Sequence, residues 1–274
     1  MIPPVAARFV AGETPAEAMD HARRRNSDGV GVVLHRLGER NDDRRDADDD
    51  TAAYVRLCRD LADSGLRARV SVTPTQLGLA ASETAFRENY RRVAAAAAEA
   101  DTQLWCDTED ATTADATLSA AVDLAAEFPD RLGVRLRANL RRTPADAERL
   151  AAVPVAVRLV EGAYDEAPAV AHQGRAAVDA ASRGLIDQLV EQETRLAVGS
   201  HDPAIVEYGL DRARTAGVDV EVQLPMGVRE DAQRALEADG VEVWQHAPFG
   251  REWAAYLYRR VRERLFAARA AVGG

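Results

Sequence analysis

Residues Val155 to Val160 read VAVRLV, an apolar run of strand length that gives way at once to EGAY (Glu161 to Tyr164). Runs of the same kind recur on both sides. Gly29 to Leu34 (GVGVVL), Arg69 to Val72, Gln103 to Cys106 and Leu132 to Leu136 precede it, and Leu196 to Val198, Val218 to Val222 and Val241 to Trp244 follow. Segments with helical spacing of apolar residues separate them: Ala52 to Asp63, Glu83 to Ala100, Ala111 to Glu127, Pro144 to Ala152, Gly174 to Glu191, Pro203 to Ala216 and Val228 to Ala238. A leading helix is expected over about 14–25, with Thr14 as N-cap and Glu17 completing a capping box. Eight short strands, each followed by a helix, predict a parallel α/β architecture, and in this length a closed (β/α)8 barrel fits better than an open doubly wound sheet. No Gly-rich dinucleotide fingerprint follows the first run, which weakens the open-sheet alternative further. The charge cluster Arg40 to Asp50 (RNDDRRDADDD) reads as a solvated loop, and without a linker the whole of 1–274 reads as one domain.

Composition narrows the function classes. The chain has 45 acidic and 35 basic residues, a formal net charge of -10, and every basic residue is Arg. A chain without Lys cannot use a Schiff-base or lysine-nucleophile mechanism. The acidic balance disfavours a nucleic-acid partner and is consistent with a salty cytoplasm, where surplus carboxylates help solubility. No run reaches the ~18 apolar residues of a membrane span and no signal pattern opens the chain, so a cytoplasmic protein is expected. Cys58 and Cys106 have neither metal nor disulfide spacing and are read as small buried apolar groups.

In a barrel the chemistry belongs at the C-terminal strand ends. Asp107, Glu109, His201 and His246 fall there, a set that could hold a divalent metal, although no HxH or HExxH spacing supports it. His35 and His172 read as surface or structural. Arg137, Arg158, Arg259 and Arg260 would make a positive mouth in an acidic protein, suited to an anionic ligand.

The last segment, Gln245 to Leu265 (QHAPFGREWAAYLYRRVRERL), reads as a loop opening into a helix. Tyr256, Arg259, Arg260 and Glu263 share one stripe, and Ala254, Leu257, Tyr258, Val261 and Leu265 another. Paired guanidiniums beside an aromatic ring suit a small carboxylate with an apolar body, whereas the plain alternative is a solvated face with an i, i+4 ion pair.

The strand-end motifs, in order, resemble those of the proline dehydrogenases, FAD-dependent barrels that oxidise L-proline to 1-pyrroline-5-carboxylate. The resemblance covers nearly the whole chain: RFVAGET (Arg8 to Thr14), LHRLGE (Leu34 to Glu39), SVTPTQLGL (Ser71 to Leu79), WCDTED (Trp105 to Asp110), RLVEGAY (Arg158 to Tyr164), GSHD (Gly199 to Asp202), EVQLPMG (Glu221 to Gly227) and HAPFGREWAAYLYRRVRER (His246 to Arg264). It implies that Arg259 and Arg260 grip the substrate carboxylate with Glu263 pairing to one of them, that Tyr164 and Tyr256 pack on the substrate ring, that Arg158 lies near the flavin N5, and that Asp107 orients His246. Gly162, Ala163, Ser200 and His201 would line the FAD with Arg137 and Gln223, Arg175 would reach its adenylate part, and the last helix would sit over the barrel mouth. The electron acceptor is left open, with a quinone as the candidate and a peripheral membrane location as its corollary.

The chain departs from that family's pattern. Thr73 stands where Lys is usual, Arg137 for Gln, Asn139 for an aromatic, His246 for Tyr and Glu161 for Lys. These departures leave open a barrel that binds flavin or an amino acid with weak turnover, or one that acts on another cyclic amine.

Overall fold

The structure, a computed structural model, describes residues 2–3, 6–38, 40–162 and 166–258. Eight parallel strands, β1 (Gly31–Arg36), β2 (Ala68–Val72), β3 (Leu104–Asp107), β4 (Leu132–Arg137), β5 (Val155–Val160), β6 (Leu196–Val198), β7 (Val220–Pro225) and β8 (Glu242–Phe249), close into a barrel. β1 pairs with β2 (Val32 opposite Ala68) and with β8 (Leu34 opposite Ala247), so no edge is exposed. The expected (β/α)8 barrel is therefore what forms.

Helices α2 (Arg44–Ala62), α3 (Glu83–Glu99), α4 (Ala114–Ala125), α5 (Thr143–Ala151), α6 (Arg175–Glu191), α7 (Pro203–Ala216) and α8 (Glu230–Ala238) connect successive strands. The leading helix α1 (Pro15–Ser27) packs against β1 and β8 and buries Ala18 and Ala22 there, so the outer position that closes the ring is filled from the N-terminus. Thr14 Oγ1 accepts from the Glu17 amide while Glu17 reaches back to the Thr14 amide, the expected capping box.

Two expectations are corrected. The charge cluster Arg40 to Asp50 is mostly helical: Asp43 caps α2, its side chain accepting from the Arg45 amide at 2.6 Å, and Ala47, Thr51, Tyr54, Cys58 and Leu61 form the buried stripe of that helix. The acidic residues occupy its wet face. In addition Gln245 to Phe249 is strand, not loop, and the helix that follows is described only over 253–258.

Alternation along the strands sorts the core into two parts. Val70, Cys106, Val134, Val157, Val198, Val222 and their like point outward into a large cluster with the helices, while Val33, Trp105, Ala156, Ala197 and Trp244 form a small cluster inside the barrel. Each Trp lies against a glycine of a neighbouring strand: a Cβ at Gly31 would come within 2.5 Å of Trp244, and one at Gly133 within 2.6 Å of Trp105. Emptying either Trp position would cost about 3–5 kcal/mol. Above and below this apolar layer the interior is polar, which places the site. Among the described residues no helix is long and apolar enough to cross a membrane.

Candidate active site

The interior positions nearest the C-terminal mouth carry His35 (β1), Ser71 (β2), Asp107 (β3), Arg135 and Arg137 (β4), Arg158 (β5), Gln223 (β7) and His246 (β8). All follow from period-2 alternation: those on β1, β3, β4, β5 and β8 lie an even number of residues from an inner-layer or glycine position on their own strand, and Ser71 and Gln223 lie two residues after Arg69 and Glu221 on theirs. Barrel closure brings them together.

Asp107 is the centre. Arg158 Nη2 donates to its Oδ1, Arg135 Nη1 lies 3.5 Å from Oδ2, and His246 Nε2 lies 3.7 Å from Oδ2. Burial pushes the Asp107 carboxyl up, but Arg158 and then Arg135 outweigh it and hold it well below the usual carboxylate range. Burial lowers His246, more than Asp107 restores, which favours the neutral imidazole. Arg158 is almost fully buried, which lowers its guanidinium against the pull of Asp107, and its Nη1 donates to Gln223 Oε1 at 2.9 Å. Three polar atoms here, Arg135 Nε, Arg158 Nε and His246 Nε2, have no hydrogen-bond partner among the described residues.

His35 was missed. Read as surface or structural, it instead lies at this mouth, its ring centroid 5.4 Å from that of His246 and its Nδ1 3.1 Å from the Ser71 carbonyl. Burial, then the His246 ring, pushes it down to about 3. The available signal was its place two residues after Val33, on the same face of β1. Arg135 was missed for the same reason, between Gly133 and Arg137 on β4.

The four strand-end metal candidates do not assemble. Asp107 and His246 are together, but Glu109 is taken by Thr75, whose amide and hydroxyl donate to it at 2.9 and 2.7 Å, and burial raises its carboxyl. His201 is exposed, 3.8 Å from Glu161. His35, Asp107 and His246 do offer ligand atoms within 4.8 Å of one another. Arg135 and Arg158 already more than neutralise Asp107, so a divalent cation there would meet two guanidiniums.

Arg137 Nη1 donates to the Glu109 carbonyl and to Glu166 Oε1, both at 2.8 Å. Gly162 has φ +91°, and a Cβ on it would overlap Asn139 Oδ1 and approach Arg137 Nε to 3.1 Å, so glycine is required there. Ser200 Oγ donates to Glu161, which thus spans β5 and β6 at the rim. Arg175, at the start of α6, is exposed and ion-paired to Asp202 and to Asp179 (3.5 Å). Tyr256 is half-buried in the short helical stretch 253–258, and its amide donates to the Glu252 carbonyl at 3.2 Å. Ala163, Tyr164, Arg259, Arg260 and Glu263 lie outside the described residues.

The fold matches that of longer proteins. The crystal structure of proline utilization A from Bdellovibrio bacteriovorus inactivated by N-propargylglycine superposes with TM-score 0.86 at 23% identity, covering 94% of this chain and 32% of that one. A mutant of proline utilization A from Bradyrhizobium japonicum superposes with TM-score 0.77 at 19% identity, and 30% of its chain is covered. This chain thus spans about a third of those proteins. Among curated relatives, proline dehydrogenase from Deinococcus radiodurans is 32% identical over 266 residues, and proline dehydrogenase 1 from Bacillus subtilis subsp. natto is 28% identical over 262; each match covers 94% of this chain and 86% of the relative. Residues 18–265 match the family model described as proline dehydrogenase, and with a 32% identical relative spanned over most of its length, the chain belongs to the proline dehydrogenase family.

Proposed function

We propose that this chain is a single-domain flavoenzyme that oxidises L-proline, or a close cyclic amino acid, to the corresponding imine, with FAD as cofactor. The observation that carries the reading is the buried Arg158–Asp107–His246 cluster at the barrel mouth, in a chain of the proline dehydrogenase family.

The residues present fit a flavin. Arg135, Arg137 and Arg158 concentrate positive charge at the mouth of an acidic chain, and the Arg158 and Arg135 Nε donors are unsatisfied within the described protein. Gly162 lets backbone come close where a side chain would collide. In this reading Arg137, Arg158, Gly162, Ala163, Ser200, His201 and Gln223 line the cofactor and Arg175 reaches its distal part. When bound, the flavin supplies the two-electron acceptor.

The protein groups bind, orient and handle a proton. Arg259 and Arg260 hold the substrate carboxylate, Glu263 keeps that pair in register, and Tyr164 and Tyr256 cover the ring. An ammonium must lose a proton before its neighbouring carbon can give up hydride, and in this reading His246, whose burial favours the neutral imidazole, takes that proton beside Asp107, whose neighbouring guanidiniums favour the carboxylate. Arg158 stabilises negative charge that develops on the cofactor side. The expected setting is a salty cytoplasm, with a quinone taking the electrons onward.

The test is the visible spectrum of the purified protein at high salt, before and after anaerobic addition of L-proline. Flavin bands that bleach with proline are expected. A folded protein that takes up no flavin, and whose activity on another substrate tracks bound metal, would overturn the reading in favour of a His35–Asp107–His246 metal site.

A further inference from the structure

The polar interior continues below the site as one chain of contacts that crosses the apolar layer. At its lower end Glu242, half-exposed, accepts from Trp244 Nε1 at 2.8 Å and lies 3.7 Å from Arg69 Nη2. Arg69 stacks on Trp244, 3.6 Å from the ring centroid, and its Nη1 donates to Glu221 Oε1 at 2.6 Å. Gln223 Nε2 donates to that same Glu221 oxygen at 2.6 Å, and Gln223 Oε1 accepts from Arg158 Nη1 at 2.9 Å. Arg158 then holds Asp107.

Gln223 is the joint, because its carboxamide has a donor end and an acceptor end. An ionised carboxylate only accepts and a guanidinium only donates. With Glu221 on one side and Arg158 on the other, just one sense of the amide makes both bonds. The reverse sense would set NH2 against guanidinium and oxygen against carboxylate. Arg158 is thereby pinned at Nη1 by Gln223 and at Nη2 by Asp107, which fixes the plane of the guanidinium and the direction of its unsatisfied Nε.

We infer that Glu221, on the far side of Gln223 from the reacting centre, is a positioning residue that holds the Arg158 guanidinium in its working orientation through Gln223. The inference rests on the reading of Arg158 as a group of the site, and the test is built so that the two can fail separately.

Two variants divide the roles of Glu221. Glu221→Gln keeps an acceptor oxygen for Gln223 but leaves Arg69 buried with only the half-exposed Glu242, 3.7 Å away, as counter-charge. Arg69→Met combined with Glu221→Met removes both charges, keeps apolar volume against Trp244, and takes away the acceptor; replacing a buried ion pair by well-packed apolar groups is often neutral for folding. The first readout is the Arg158 guanidinium in flavin-free protein, by arginine-selective 15N NMR, assigned by difference from Arg158→Lys. The second is the midpoint potential of bound flavin. Glu221→Gln should lose stability yet keep a sharp, slowly exchanging Arg158 signal. The double variant should stay folded, with that signal broadened and the potential about 30 mV more negative, a tenfold loss of stabilisation of the reduced form for a two-electron couple. A double variant with unchanged signal and potential overturns the inference, leaving Glu221 as the ion-pair partner of Arg69 alone. In the parent, one Gln223 carboxamide proton should be protected from exchange; free exchange there overturns it without any variant. Absence of flavin from every sample would count against the proposed function, while the guanidinium signal still decides this point.

Discussion

Arg158 reaches across the barrel from β5 to Asp107 on β3, and the two side chains are 4% and 3% exposed. Arg135 lies on the far oxygen of the same carboxylate, so removing the carboxylate leaves two cations together in the interior. Asp107→Ala should therefore destabilise the fold by about 3–5 kcal/mol, the cost of an uncompensated buried charge. Urea denaturation at neutral pH measures it. A loss below about 1 kcal/mol would mean that water or a neighbouring group compensates the guanidiniums.

Acid should weaken the protein through the same mouth. His35 is pushed down to about 3 when folded, against 6.5 for the ordinary group, by burial and by the His246 ring, with Arg135 and Arg158 adding to the effect and Asp107 opposing it. Above pH 6.5 neither folded nor unfolded chain holds this proton. As pH falls through 6.5 the unfolded chain takes it first, so stability declines until the folded form also binds it near pH 3. One such proton is worth at most about 1.4 kcal/mol per pH unit. His35→Asn should flatten the fall of unfolding free energy between pH 6.5 and 4.5 by up to that slope. An unchanged slope would show that the folded His35 titrates normally.

Gly162 combines φ +91° with a neighbour, Asn139 Oδ1, in the space of a side chain. Gly162→Ala should cost about 1–3 kcal/mol in backbone strain and displace Asn139 and Arg137. Flavin affinity, titrated by quenching of flavin fluorescence, should fall at least tenfold while the far-ultraviolet circular dichroism is kept. Unaltered affinity would remove Gly162 from the cofactor wall.

Arg260→Met retains helix propensity and most of the apolar stem while removing the charge. A charge-assisted bond to a carboxylate of about 1.5–3 kcal/mol predicts a ten- to hundredfold rise in KM for proline, with flavin content unchanged. On a solvated face the same change would alter stability by less than about 0.5 kcal/mol and leave the kinetics as they were. Proline-dependent dye reduction by parent and variant distinguishes the two.

Salt should stabilise the fold. Exposed pairs such as Arg91–Glu127 and Arg214–Asp211 contribute about 0–1 kcal/mol each and weaken when screened, but screening also relieves repulsion among the surplus carboxylates of a chain with net charge -10. The long-range repulsion is expected to dominate, so the melting temperature should rise from dilute buffer to 1 M KCl. A fall would assign the balance to the ion pairs.

What could be read from the chain alone was what neighbours in sequence encode. Strand-length apolar runs alternating with helical periodicity determined the barrel, and Thr14 with Glu17 determined where α1 begins, because both depend on spacings of a few residues. The stripe Ala47, Thr51, Tyr54, Cys58 and Leu61 was equally local, yet the charge density of Arg40 to Asp50 concealed its start. The order of strand-end motifs was enough to point to the family. The composition of the site was not, because it depends on closure. Only pairing of β1 with β8 brings His35 beside His246, and only the staggered, tilted packing of all eight strands sets Asp107 opposite Arg158 and aligns Arg69, Glu221 and Gln223 beneath them. Each of those side chains sits in an ordinary alternating position on its own strand. What each one meets across the barrel is a property of the register between strands distant in sequence, which the tertiary structure alone decides.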